Sequence, residues 1–233
     1  MGITYSAMQA KIEKDMDIED EVMIQDTELM EYFNDAIRDC EREIHSIGLE
    51  EIYFKNYDNP AVISGTAEYN MPTGIYQSKI LKCVYNDGNR VFPIKEMKGK
   101  SQYEEIEMSA NYTSSNPVYR YFLRNASASS GVKWTLVPTP RETSSTRFKR
   151  WFIREATKMA NSASVCDLPD ACLNFIYAYV TWRIWGKEGD GRSIGAKAEV
   201  ELQRKMMIDG LTDMTPDEEN EIEMDTDIYE DMS

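Results

Sequence analysis

The side chains that could carry chemistry are few and scattered in this 233-residue sequence. There is one histidine, His45, and there are four cysteines: Cys40, Cys83, Cys166 and Cys172. No two of the thiols form a Cys-x-x-Cys pair, so the inventory does not support a zinc site, which needs clustered thiolate or imidazole ligands. A lone imidazole with no nucleophile motif beside it reads as structural. The carboxylate pairs Glu50/Glu51 and Glu104/Glu105 have the residue type for glycoside hydrolysis, in which two acids flank the scissile bond. Among 41 acidic residues such pairs arise by chance, and neither sits in a recognisable aromatic-lined loop. Carboxylates also crowd residues 213–233, but without the spaced oxygens and central glycine of a tight calcium loop. The sequence has no Gly-rich dinucleotide turn, phosphate loop, nucleophile elbow or His-Glu-x-x-His helix. The expectation is no catalytic residue, no cofactor and no metal: a chain that is not an enzyme.

The elements that would position these groups are of two kinds. The stretch from Gly65 to Glu96 reads as a β-module. A Pro72-Thr-Gly74 break separates two strands, and Ile80, Lys82 and Val84 alternate with Leu81, Cys83 and Tyr85. Asn86-Asp-Gly-Asn89 supplies the positive-φ positions of a tight hairpin, and Val91 and Phe92 begin the return strand up to Pro93. Further strand-like pieces cover Ile52–Phe54, Ala61–Ile63, Val118–Leu123, Val132–Pro138 and residues 147–155. Together they suffice for a small antiparallel sandwich or partial barrel. A short surface helix is predicted from about Ser101.

Helices flank this module. Leu29, Phe33, Ile37, Cys40, Ile44 and Ile47 recur at steps of three and four, one apolar stripe that Gly48 ends. Leu168-Pro-Asp170 opens a second helix, with proline and an acid in its first turn. One face of it carries Leu173, Ile176, Tyr177, Val180 and Ile184; another carries Phe175, Tyr179 and Trp182, with Trp185 between. A helix apolar on both sides must be covered on both, by the chain's own helices or by another subunit. A third helix, 193–209, carries Ile194, Ala198, Leu202 and Met206 at steps of four and stops at Gly210. The fold class is therefore α+β: a helical bundle of one N-terminal helix and a C-terminal helical hairpin, with an inserted antiparallel β-sandwich or partial barrel. Terminal arms flank it. The predicted divisions are an acidic arm at 1–26, a helical domain at 27–50 and 156–210, a β-domain at 51–155 and an acidic tail at 211–233.

The formal charge of −15 is concentrated at the ends. Residues 213–233 hold ten carboxylates and no lysine or arginine, and residues 1–26 hold seven carboxylates against two lysines. The middle is neutral, which argues against general DNA binding through a basic surface. Met1 to Gln9 lacks the basic and apolar regions of a signal peptide. The longest apolar run, Phe175 to Trp185, is too short for a membrane span and contains Arg183. A protein made in a reducing cytosol, with free thiols and no membrane partner, is the expectation. In the acidic tail, Ile222, Met224, Ile228 and Tyr229 are apolar points that a purely solvating segment does not need, and they suggest a linear docking motif.

One order of motifs stands out. A helix with an Asp39-Cys-Glu-Arg-Glu-Ile44 end precedes Gly65-Thr-Ala-Glu-Tyr-Asn-Met-Pro72. A strand then leads to Tyr85-Asn-Asp-Gly88, followed by Val132-Lys-Trp-Thr-Leu-Val-Pro-Thr-Pro140 and by Leu168-Pro-Asp170 opening an apolar helix. Over residues 27–209 this order resembles the head–tail adaptor proteins of tailed bacteriophages, including those described as tail tubular protein A-like. The resemblance implies a structural virion protein in the neck, made in the host cytoplasm. It implies a homo-oligomeric ring, commonly of about twelve copies, between the portal protein and the next tail or nozzle protein, with DNA passing through its lumen without specific binding. The family brings no catalytic set. On that reading Phe175, Tyr179, Trp182 and Trp185 are the subunit-interface candidates, since aromatic residues favour interface centres. Ile222, Met224, Ile228 and Tyr229 are the portal-docking candidates. The alternatives are a tail-associated peptidoglycan hydrolase, which requires two carboxylates across a cleft, and a monomeric glycan-binding β-module.

Overall fold

The structure, a computed structural model, describes residues 2–16, 24–97, 118–127 and 131–213. The short helix predicted from about Ser101 lies outside these residues. The chain divides into two compact units, Met1–Ile44 with Lys158–Ser233, and His45–Thr157.

The first unit is helical. Helix α1 (Tyr5–Met16) occupies what the sequence suggests is an arm. Tyr5, Met8 and Ile12 fall on one face at the helical period and are all buried. The Tyr5 hydroxyl donates to the Asp26 carbonyl at 3.1 Å. Just before α1, Cys166 N–H donates to the Ile3 carbonyl at 2.9 Å and Tyr5 N–H to the Ser164 carbonyl at 2.8 Å. A Cβ at Gly2 would stand 2.7 Å from the Cys166 carbonyl oxygen, so this close approach requires glycine. Helix α2 (Asp26–Ser46) buries the stripe read from the sequence, with Phe33, Cys40 and Ile44 fully enclosed. Asn34 holds it to the later chain: its side-chain amide donates to the Met159 carbonyl at 3.0 Å, and its oxygen accepts the Met159 N–H at 2.7 Å. Gly48, at φ 77°, ends the helix.

The second unit is a curled half-barrel, one mixed sheet of seven strands among the described residues. After a single helical turn, α3 (Glu50–Tyr53), come β1 (Lys55–Asp58), β2 (Glu68–Asn70), β3 (Ile75–Asn86), β4 (Val91–Glu96), β5 (Arg120–Ser127), β6 (Gly131–Val137) and β7 (Phe148–Arg154). The spatial order is β1-β7-β3-β4-β5-β6-β2. All neighbours are antiparallel except β4 and β5, which are parallel. The hairpin at Asn86–Asn89 forms as its turn residues require, with Gly88 at φ 103° and Asn86 and Asp87 oxygens accepting backbone N–H groups within the turn.

Two local expectations are corrected here. Ile52-Tyr-Phe54 is not a strand: Glu50 and Glu51 favour the start of a helical turn, and Phe54 N–H donates to the Glu50 carbonyl at 2.8 Å. The strand begins instead at Lys55. Ala61–Ile63 is not a strand either: only Val62 bridges, to Ser144. The piece read at 147–155 does form a strand, β7, which lies between β1 and β3.

The β-unit core is aromatic. Trp134 is fully buried, with Tyr121, Phe148 and Tyr69 around it, and Tyr119 meets Tyr85 and Phe148 edge to face at 4.9 and 5.1 Å. Arg150 also points inward, with 2% of its surface exposed. It stacks 4.7 Å from the Trp134 ring and is satisfied by Asp58, with Nε 3.0 Å from Oδ1, and by the Asn70 carbonyl at 3.1 Å from Nη1. A buried guanidinium is tolerated only when paired in this way.

After Asp170–Cys172, a turn of 3-10 helix, the helical unit is completed by α4 (Leu173–Glu188) and α5 (Arg192–Thr212), antiparallel across a turn in which Gly189 is left-handed. Helix α5 runs past Gly210, the expected stop. A Cβ at Gly210 would stand 3.6 Å from Ala171, so the glycine serves close packing here and not termination. All four cysteines are free and buried. Burial pushes the Cys40 thiol well above its ordinary value, and the neighbouring Cys172 thiol adds to the effect.

Candidate functional site

Helix α4 settles how its two apolar faces are covered. Phe175 is fully buried and Tyr179 nearly so within the unit. The Arg204 guanidinium of α5 lies 5.4 Å from the Phe175 ring. Toward α2, Arg183 stacks 4.7 Å from Tyr32 and reaches Asp35 at 3.5 Å. Lys187 pairs with Glu28, which also accepts from the Tyr32 hydroxyl at 2.6 Å; these two bonds hold the Glu28 carboxyl below its ordinary range. The chain's own helices therefore enclose Phe175 and Tyr179, and their burial needs no second copy. Trp182 is half-buried, edge-on to Tyr179 at 5.5 Å. Trp185 is half-buried with Arg192 4.9 Å from its ring. Of the four aromatic candidates, only these two keep substantial exposed surface. Ile222, Met224, Ile228 and Tyr229 lie outside the described residues.

The exposed apolar surface of the helical unit is elsewhere. The sequence presents Ile194, Ala198, Leu202 and Met206 as the packing stripe of α5, but the structure buries the other apolar set, Ala196, Val200, Met207 and Leu211. Ile194 is 79% exposed, Leu202 52% and Met206 55%. The reason is that α5 has two apolar faces at the helical period. Short-range periodicity identifies both and cannot say which one meets α4. A signal was present: a helix with apolar residues on two sides needs two partners, and the chain's own packing supplies one.

A groove of about 410 Å³ runs along the same unit between α1, α4 and α5. Its apolar walls come from Ile12, Tyr177, Ala178 and Trp185, and Asp15 and Glu199 set acids at its edge. Lys11 lies 4.0 Å over the Tyr177 ring. The α5 residues that face it, Ala196, Glu199 and Gln203, are roughly 100° round the helix from the exposed stripe, by the ideal turn per residue. The helical unit thus carries two different surfaces, an apolar ridge that includes Lys205 beside Leu202, and an apolar groove edged by carboxylates.

Among the described residues no group of three or more His, Cys, Asp or Glu side chains is placed to hold a metal ion. No helix among them is long and apolar enough to cross a membrane. A comparison with curated proteins gives no match. A comparison with protein families gives one: the family described as SU10 adaptor protein matches residues 3–222, from before α1 to beyond α5. The match names the adaptor class and not the tail tubular protein A-like branch. Spanning nearly all of the chain, it shows that this protein belongs to the SU10 adaptor protein family and is a structural adaptor of the bacteriophage virion.

Proposed function

We propose that the protein joins the capsid portal to the next tail component as a closed ring, on the order of twelve copies, through which DNA passes without specific binding. The observation that carries this reading is the pair of unlike surfaces on the helical unit. A ring built from one chain needs a heterologous contact, in which a patch on one copy meets a different patch on the next. The α5 ridge at Ile194, Leu202 and Met206 and the groove at Ile12, Tyr177 and Trp185 are such a pair. Trp185 thus remains an interface candidate, on the groove side, while Phe175 and Tyr179 support the groove from within. Trp182 stays a candidate for the rim of the contact.

The acidic balance suits a conduit, because carboxylates repel phosphates and keep DNA from adhering. Residues around Ile222, Met224, Ile228 and Tyr229 are proposed to dock on the portal; removal of 213–233 should abolish portal binding and leave the folded units intact. The test of the main reading is the mass of the purified protein alone, and again after mixing with capsids that carry a portal but no tail. Incorporation at a fixed multiple near twelve per vertex supports the ring. A protein that stays free and monomeric in both samples refutes it.

A further inference from the structure

The formal charge of −15 is not shared between the two units. Residues 45–157 hold 15 lysines and arginines against 11 acids, whereas the remaining residues hold 11 against 30. The stretch that forms the β unit is therefore cationic by itself, and most of its described acids are already committed. Glu50 pairs with Lys79, Glu51 with Lys55, Asp58 with Arg150, Glu68 with Arg124 and Glu142 with Arg147. Asp87 accepts the Asn89 and Arg90 N–H groups in the hairpin turn.

The surplus of positive charge lies in one row across the sheet. Tyr57 of β1 stands opposite Trp151 of β7, Trp151 opposite Lys82 of β3, and Lys95 of β4 opposite Arg120 of β5. One step beyond the Cys83–Ile94 pair, the antiparallel β3–β4 ladder brings Lys82 and Lys95 together. The row points outward, because its neighbours along the strands, Arg150, Cys83, Ile94 and Tyr121, are buried in the core. Lys149, two residues from Trp151 on the same face of β7, places its ammonium 3.8 Å from the Tyr57 ring centre and 4.7 Å from that of Trp151. Among the described residues no carboxylate pairs with Lys82, Lys95, Arg120 or Lys149. At a strand spacing of about 4.8 Å, Lys82, Lys95 and Arg120 set three cations within roughly 10 Å. Like charges side by side weaken a sheet, so an anion laid along the row relieves it.

An acidic protein surface or a nucleic-acid backbone could supply that anion, and the row favours the second. Protein interfaces centre on aromatic or apolar anchors and are depleted in lysine. Here the two rings lie against Lys149, and the rest of the row is lysine and arginine. A phosphodiester backbone needs no anchor. It is an unbroken line of charge, one phosphate per about 3.4 Å of each strand, held by lysine as a point charge and by the arginine fork. Rings already covered by an ammonium do not stack on bases, so the denser charge of a duplex suits the row better than a single strand. We propose that Lys82, Lys95, Arg120 and Lys149 bind the phosphate backbone of duplex DNA without regard to sequence. Four cations give a weak, salt-labile contact, which is compatible with DNA that passes. The choice of DNA among polyanions rests on the passage of DNA proposed above, but the contact itself belongs to a single copy and needs no ring.

Titration of the full chain against a short labelled DNA duplex, read by fluorescence anisotropy, tests the proposal. The slope of log affinity against log salt should be about −3.6 for four phosphates, so affinity should fall roughly 100-fold between about 50 and 200 mM salt. Lys82→Gln combined with Lys95→Gln should weaken binding about tenfold or more at the lower salt and bring the slope to about −1.8. Lys82→Arg combined with Lys95→Arg should retain both readings of the natural chain. Lys197→Gln combined with Lys205→Gln, at exposed lysines of α5, makes the same change in net charge and should leave both readings unchanged. No binding at the lower salt, or an equal loss in the two glutamine pairs, overturns the proposal. So does tighter binding of the single strand, which would mean that the rings stack on bases. Displacement of the duplex by polyglutamate at equal charge concentration also overturns it and makes the row a site for an acidic protein. A natural chain that binds the duplex but never enters portal-bearing capsids refutes the ring and leaves this contact standing.

Discussion

The two units of this protein each bury a core, but they treat the surface differently. The β unit closes its core with rings and a paired guanidinium. Trp134, Tyr121 and Phe148 fill the half-barrel, and Arg150 is satisfied by Asp58. The helical unit packs aliphatic and thiol side chains just as tightly but leaves Ile194, Leu202 and Met206 of one helix in solvent. The exposed apolar side chains of the β unit, Ile52, Tyr57, Ile63, Val91 and Val118, are scattered over separate elements and loops, whereas the helical unit gathers three on one face of one helix as a ridge. An adaptor has to stay folded alone and still associate. Separating these tasks lets the association surface be apolar without entering the core that the monomer depends on.

The largest effect that would test this contrast is in the β core. Trp134→Ala removes a fully buried indole from the centre of the ring cluster and should cost about 3–5 kcal/mol. Calorimetry should show the β unit's transition falling or vanishing while the helical far-UV dichroism persists. Loss of both signals in a single transition would mean the units do not hold their cores separately, and the contrast would fail.

Helix α5 offers a sharper test with neighbouring residues of one type. Met207 is 1% exposed and Met206 55%. Met207→Ala should cost about 2–4 kcal/mol, and Met206→Ala no more than about 0.5. Leu202→Glu, on the exposed side, should likewise leave the denaturation midpoint unchanged, but it should prevent assembly onto portal-bearing capsids. If Leu202→Glu assembles normally while the natural chain forms rings, the ridge is not the contact although the ring is real. Equal costs for the two methionines would show that the helix is rotated from the orientation described.

Next in size is the guanidinium. Arg150→Ala strands Asp58 and the Asn70 carbonyl, and full burial of such a broken pair would cost about 3–5 kcal/mol. Asp58 keeps 31% of its side-chain surface exposed and can recover water, so about 1–3 kcal/mol is expected. Arg150→Met, which keeps an apolar stem against Trp134 but still loses the charge, should fall at the lower end. A denaturant midpoint unmoved by Arg150→Ala would show that the charged pair contributes nothing to this core.

Much of this architecture was legible because it rests on local rules. The α2 stripe follows from residue spacing, the β3–β4 hairpin from Asn86-Asp-Gly-Asn89, and the opening of the C-terminal helices from Leu168-Pro-Asp170. What was not legible depends on the partner. Met8 and Ile12 share a helical face in the sequence, but only their packing within the helical unit turns residues 5–16 from an arm into a helix. Arg150 looks like a surface charge on a strand until Asp58 and Asn70 are seen beneath it. On α5 two equally regular stripes compete, and periodicity carries no information on which one α4 covers. The aromatic run in α4 attracts attention as an interface, yet large rings are as useful to a monomer's core, and Phe175 is spent there.

The smallest effect expected is on pH, and it belongs to the β unit. His45 lies between two rings, 3.7 Å from Tyr76 at an interplanar angle of 15° and 5.6 Å from Phe54. Burial lowers its pKa from the ordinary 6.5, Lys79 lowers it further, and Glu50, itself paired with Lys79, opposes them. With the folded value below the unfolded one, the imidazole is neutral in both states above pH 6.5 and its contribution is then fully present. As pH falls below that value the unfolded chain takes up the proton first, so stability is lost progressively until the folded pKa is passed. Among the described residues His45 Nε2 has no hydrogen-bond partner, so His45→Phe keeps the stack and removes the titration. The melting temperature of the natural chain should therefore decline relative to His45→Phe as the pH falls below about 6.5, on a background of carboxylate titration common to both. Parallel curves would show that the stacked imidazole protonates as readily in the folded protein as in the unfolded chain, and that this end of the β unit is open to water.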